Sequence, residues 1–257
     1  MIYITGDIHA DIDIRKLNTK NWPEQRSLTK EDYLIILGDF GLVWDSEESK
    51  FEKNWLDWLN DKPFTVLFID GNHDNHERLA TYQEYDWHGG KIHKIRPTVY
   101  HLMRGYVYEI EGYTFFTFGG ARSHDITDGI LEPNDVRIKS WREQNKMFRI
   151  NHVEWWEGEL PTEEECNRGL KVLEQYNNCV DYILTHDTSN IILKKLTNKM
   201  GIPQEESDIL KEYFDKIEQL VTYKHWYNGH YHIDKDVTDK NTIVYDKIIN
   251  LGEIANA

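Results

Sequence analysis

The chain has 257 residues, 39% hydrophobic and 13% aromatic, with a formal net charge of −15. That length and apolar content suit a large folded core and exclude a disordered chain. The acidity argues against an extended, sequence-independent grip on nucleic-acid phosphates, and no apolar run reaches the roughly 18 residues that a membrane span needs.

The first residues, MIYITGDIHAD, carry neither a basic n-region nor a long apolar h-region, and Cys166 and Cys179 do not make a disulfide framework. A cytoplasmic protein with no membrane partner is therefore expected. Ile2–Thr5 is a short apolar run that breaks at Gly6-Asp7, and Tyr33–Leu37 breaks at Gly38-Asp39. Ser49–Asn60 reads as a helix with Phe51, Trp55, Trp58 and Leu59 on one face. Phe64–Ile69 breaks at Asp70-Gly71-Asn72-His73, followed by a short helix, Asn75–Tyr82, with Asp74 as a candidate cap and His76 exposed in its first turn. Shorter strands at Thr98–Leu102 and Tyr106–Ile110 precede Tyr113–Phe118, which breaks at Gly119-Gly120.

Residues 119–161 contain no clear strand. A helix from about Val136 to Phe148, capped by Asn134 or Asp135, fits the pattern there, and Trp141, Phe148, Trp155 and Trp156 mark an ordered insertion. Thr162 and Glu165 form a capping-box pattern at the start of a helix over Glu163–Tyr176. Val180–Thr185 breaks at His186-Asp187, a helix over Gln204–Leu220 follows Pro203, and Tyr223–Asn228 breaks at Gly229-His230. Thr242–Tyr245 and Ile248–Leu251 end the series. Strands alternating with helices predict an α/β sandwich with mixed sheets, in one domain over 1–257 with an insertion at 119–161.

Five of these strand ends carry metal-ligand residue types: Asp7-Ile8-His9, Asp39, Asn72-His73-Asp74, His186 and His230-Tyr231-His232. A strand delivers its next residues past the sheet edge, where ligands of open α/β sheets bind. Any one of these turns alone is more often a cap or a polar loop. All five together point to a joint site. Carboxylate and amide oxygens mixed with imidazole nitrogens suit Mn, Fe or Zn better than Ca.

Gly6-Asp7-Ile8-His9, Gly38-Asp39, Gly71-Asn72-His73-Asp74, His186 and Gly229-His230-Tyr231-His232 resemble, in order, the motifs of the calcineurin-like metallophosphoesterases, over almost the whole chain. The resemblance implies a four-layer α-β-β-α sandwich of two mixed β-sheets flanked by helices. It implies two divalent metal ions, manganese ahead of iron or zinc. Asp7, His9 and His232 would hold one ion, Asn72, His186 and His230 the other, and Asp39 would bridge both. The implied chemistry is hydrolysis of a phosphomonoester or phosphodiester by a metal-activated hydroxide, without a protein nucleophile. His73 would stabilise or protonate the leaving group, and Asp74 would orient its ring.

The substrate expected on this basis is a phosphorylated small molecule, a nucleotide or a phosphoprotein. The second motif reads GDFGLVWD and lacks the arginine with which the protein-phosphatase branch grips phosphate. Arg122, or Arg149 at the end of the basic stretch 137–149, is the candidate replacement; the stretch itself reads as a solvated helix face, and Trp155-Trp156 as anchors of the insertion. His124-Asp125 reads as a polar loop pair. A nuclease of the same superfamily is the alternative enzyme. A non-catalytic interaction scaffold is the other reading, and retention of every ligand and of His73 counts against it.

Overall fold

The computed structural model describes residues 1–201 and 206–254. In chain order the strands are β1 (Ile2–Thr5), β2 (Tyr33–Leu37), β3 (Thr65–Ile69), β4 (Glu84–Trp87), β5 (Gly90–Arg96), β6 (Val99–Leu102), β7 (Tyr106–Ile110), β8 (Tyr113–Phe118), β9 (Gly129–Leu131), β10 (Phe148–Ile150), β11 (Tyr182–Thr185), β12 (His225–Asn228), β13 (Lys235–Thr238), β14 (Asn241–Ile243) and β15 (Ile248–Asn250). The helices are α1 (Lys50–Asn60), α2 (His76–Leu79), α3 (Ile138–Glu143), α4 (Glu163–Gln175), α5 (Asn190–Met200), α6 (Ile209–Leu220) and α7 (Leu251–Ile254).

Two mixed sheets are formed, in the orders β15-β1-β2-β3-β6-β5-β4 and β13-β14-β12-β11-β8-β7. Alternation along each strand decides which layer a side chain enters. In β1, β2 and β3, Ile4, Ile35, Leu37, Leu67 and Ile69 face the second sheet and meet Phe115, Tyr182, Leu184 and Tyr227. Their neighbours Leu34, Ile36, Val66 and Phe68 point the other way and pack on Leu56 and Leu59 of α1. The outer face of the second sheet does the same with Phe116, Ile183 and Trp226, which are covered by Leu173 of α4 and by Leu210, Phe214 and Ile217 of α6. Both faces of these strands are buried, which is why they read in sequence as unbroken apolar runs rather than alternating ones. The result is helix, sheet, sheet and helix in successive layers, as expected.

Several local expectations change. The 119–161 insertion contains β9 and β10, paired in parallel as a separate two-stranded sheet. Its helix is only Ile138–Glu143, and Arg137 precedes it without a side-chain cap, so neither Asn134 nor Asp135 caps it. Phe148 belongs to β10, where it meets Trp141 edge-on at 5.4 Å. The β4–β5 hairpin and α5 are additional elements. The hairpin turns at His88 (φ 49°) and Gly89 (φ 91°), two left-handed residues that match the twist of paired strands. The described part of the penultimate helix starts at Ile209, capped by Asp208, and Gln204 lies outside the described residues. Phe51 is not on the buried stripe of α1; it is 46% exposed.

Candidate metal centre

β1, β2 and β3 run parallel in one sheet, and β8, β11 and β12 run parallel in the other. Their C-terminal ends therefore open along one edge of the sandwich, and the turns that follow them carry the candidate ligands. Ligand atoms of Asp7, His9, Asp39 and His232 lie within 4.8 Å of one another, and those of Asp39, His186 and His230 do likewise. Asp39 is common to both groups. Its Oδ2 lies 3.2 Å from His9 Nε2, and its Oδ1 lies 3.1 Å from His186 Nε2. Asn72 joins the second group, with its Oδ1 3.4 Å from His186 Nε2.

The histidines are oriented from behind. His9 Nδ1 pairs with Asp13 Oδ2 at 2.7 Å, and His186 Nδ1 donates to the Leu37 carbonyl at 2.8 Å. Each outward partner fixes the ring and leaves Nε2 directed at the cluster, as metal-binding imidazoles require. His232 stacks on Tyr245 at 4.9 Å, and the Tyr245 hydroxyl donates to Asp13 at 2.9 Å. Asp7 is fully buried and accepts the His230 backbone N–H at Oδ1, while its Oδ2 lies 3.2 Å from His232 Nε2. Buried carboxylates surrounded by converging imidazoles could serve as the donor set of a cation site. The local electrostatics agree. Burial alone would lower the His9 and His186 pKa values, but the neighbouring carboxylates, Asp39 foremost, raise them to about 9 and about 10. These acids draw positive charge into the cluster, which divalent ions would satisfy with the imidazoles neutral.

The backbone is strained at the same places. His9 (φ 40°), Asp39 (φ 42°), His230 (φ 69°) and His232 (φ 49°) all sit in the left-handed region. Each such non-glycine residue costs about 1–3 kcal/mol, and such strain concentrates at functional sites. Close approach also demands Gly71, because a Cβ there would stand 2.1 Å from Asp39 Oδ1.

His73 stands beside this cluster. Its backbone N–H donates to Asp39 Oδ1 at 2.8 Å, and its ring stacks on Trp44 at 5.8 Å. Arg149 Nη2 donates to His73 Nε2 at 3.1 Å. A guanidinium cannot accept, so Nε2 carries no proton here and the ring is neutral. Burial pushes the His73 pKa down to about 4, aided by Arg149 and opposed by Asp39. The Asp74 side chain is placed on backbone N–H groups and not on the His73 ring. Asp74 is fully buried, and it accepts the backbone N–H groups of Phe40 and Gly71 at Oδ2 and of Gly41 at Oδ1. It clamps the β2 and β3 turns together. The cap of α2 is Asn75, whose side chain accepts from Arg78 N–H.

Of the two candidate arginines, only Arg149 reaches His73. It is 7% exposed and is held by Asp125 at 2.7 Å and by the Glu154 carbonyl at 3.1 Å. Arg122 pairs with Glu206 at 3.7 Å on the wall of a cleft lined by His124, Thr127 and Lys211, and the His124 ring lies 6.2 Å from that of His230. Three other cations of the basic stretch are paired locally: Arg137 with Asp135, Arg142 with Glu154 and Lys146 with Asp128. Trp156 is 2% exposed and meets Trp44 edge-on at 4.9 Å, anchoring the insertion as expected. The sequence reading missed Trp44 and Asp13; one sits in GDFGLVWD, the other four residues after His9.

His76 is also corrected, from exposed to largely buried. It bonds Gly71 O at 3.0 Å through Nε2, and its Nδ1 faces Arg104 at 3.3 Å. Arg104 in turn pairs with Asp70 at 2.5 Å and donates to Gly158 O at 2.8 Å, tying the insertion to the β3 turn. Burial would raise the Asp70 pKa, but Arg104 and His101 hold it well below the usual range. Arg104→Met leaves that carboxylate buried without its cation, so unfolding free energy should fall by about 3–5 kcal/mol in a denaturant titration. An unchanged midpoint would refute this account.

A mixed α/β sandwich with an Asp/His cluster at its parallel strand ends offers a set of groups that could hold a metal ion. The chain belongs to the calcineurin-like phosphoesterase family, whose model matches residues 1–234. Members of that family typically hold divalent metal ions, and the groupings above can hold one. No curated protein matches the chain. Among solved structures it is similar to a putative 5′-nucleotidase from Staphylococcus aureus in complex with alpha-ketoglutarate, at 13% identity and a TM-score of 0.46, over 95% of this chain and 48% of that one. The chain thus spans about half the length of that protein. No helix among the described residues is long and apolar enough to cross a membrane.

Proposed function

We propose that the chain is a dinuclear metal-dependent phosphoesterase, in one domain, acting on a phosphorylated small molecule. The observation that supports this most is the Asp39 carboxylate, which presents Oδ2 to His9 and Oδ1 to His186. Asp7, His9 and His232 would hold one ion, and Asn72, His186 and His230 the other. The mixture of oxygen and nitrogen donors favours Mn, with Fe or Zn as the alternatives. When bound, the two ions would acidify a water and take up charge on the phosphoryl oxygens. Arg149 supplies a fixed positive charge next to His73, where the ester and its leaving oxygen would lie. His73 can assist that oxygen only once Arg149 releases its Nε2. The nuclease reading loses ground because most cations of the 137–149 stretch are already paired.

The test is a panel of esters with protein reconstituted in Mn, Fe or Zn: an aryl monoester, the matching diester, nucleotides, a phosphopeptide and single-stranded DNA. Turnover should be seen with at least one small ester and should be lost on chelation. No turnover on any of them, with two ions bound per chain, would turn the assignment to the scaffold reading.

A further inference from the structure

A cleft of about 320 Å³ opens beside the candidate metal centre, and the phosphoester chemistry leaves it unassigned. His9, His73, Trp44, Ile12 and Phe51 are among the residues that line it. Ile12 is 72% exposed and Phe51 46%, although both are large and apolar. They come from separate parts of the chain, the turn after β1 and the first turn of α1, yet they face the same space. Exposed apolar side chains converging on one cleft mark a place where apolar surface is to be covered.

The Trp44 side of the cleft is fixed in advance. The Trp44 backbone N–H donates to Glu52 Oε1 at 2.6 Å, and Glu52 is locked to Arg78 at 2.7 Å. The Trp44 ring is held between His73 and Trp156. A rigid indole beside the ring that faces the leaving oxygen offers a flat surface to whatever that oxygen is attached to. Charge sets the other limit. No lysine or arginine lines the cleft, whereas Asp11 and Asp45 stand exposed at its edge. An anionic group would be repelled there, and an uncharged one would not.

We propose that this cleft binds an uncharged aromatic leaving group of a phosphoester whose phosphoryl end sits at the candidate metal centre. The proposal rests on the phosphoesterase reading and narrows its substrate to esters of flat, uncharged, largely apolar alcohols.

Calorimetric titration of the metal-loaded protein with 2-naphthylphosphonate and with methylphosphonate tests it, because neither probe can be hydrolysed. The naphthyl probe should bind roughly tenfold or more tightly than the methyl probe, as burial of an aromatic ring predicts. Replacing both exposed walls, Ile12→Ser with Phe51→Ser, should reduce that preference to about twofold, with the thermal midpoint confirming a folded variant. Equal affinities for the two probes, or a preference that survives both substitutions, would overturn the cleft assignment while leaving turnover on small esters untouched. Absence of turnover on every ester would instead overturn the phosphoesterase reading, whatever the two phosphonates do.

Discussion

Asp39→Asn is expected to remove activity and one or both metal ions together, with kcat falling roughly a thousandfold, or about 4 kcal/mol of barrier. The reason lies in the two oxygens. Each faces a different histidine group, and Oδ1 also accepts the His73 backbone N–H. An asparagine keeps the shape but offers one oxygen and one donor nitrogen, and the loss of a negative charge weakens cation binding further. Metal stoichiometry by atomic emission, measured beside kcat, provides the check. A variant that keeps two ions per chain and wild-type turnover would show that Asp39 is not shared.

The second large effect concerns Arg149 and His73, which touch at 3.1 Å. His73→Ala should retain metal and lower kcat by roughly 10²–10⁴, most severely on alkyl esters whose leaving groups need assistance. Arg149→Ala should act mainly on KM, raising it roughly ten- to hundredfold, as expected for loss of a charge-assisted contact of about 1.5–3 kcal/mol. Because the two groups are in contact, the double variant should fall short of the sum by about 0.5–3 kcal/mol. Arg122→Ala, paired with Glu206 elsewhere, serves as a control with unchanged kinetics and metal content. Strict additivity of His73 and Arg149 would mean that they act on the ester separately.

The legible parts of this protein share one physical cause. β1, β2, β7 and β8 fall on the residues expected; in β1 and β2 this is because strands buried on both faces are largely apolar and end where a glycine or acid cannot continue them, while the edge strand β7 keeps the signal despite exposed Glu109. The candidate ligands were legible for a related reason. Each follows such a strand within a few residues, so the parallel strand ends carry them to one edge. Less legible were the weakly patterned pieces. β4 and β9 are short and largely unburied, and the unburied α3 has no core to impose a period on its sequence.

Local chemistry therefore sufficed for the central strands of the two large sheets, the motif turns and a set of groups that could hold a metal ion. Only the tertiary structure decided the rest. It showed that Arg149, 76 positions from His73, is the arginine that reaches it and that Arg122 is not. It placed Asp74 on three backbone N–H groups instead of on the His73 ring. It also gathered Ile12, Trp44 and Phe51 around one cleft. Each of these outcomes depends on which donor or ring arrives first from a distant element. A hydrogen bond or an apolar contact forms wherever packing brings its partner within reach, and sequence spacing holds no record of that distance.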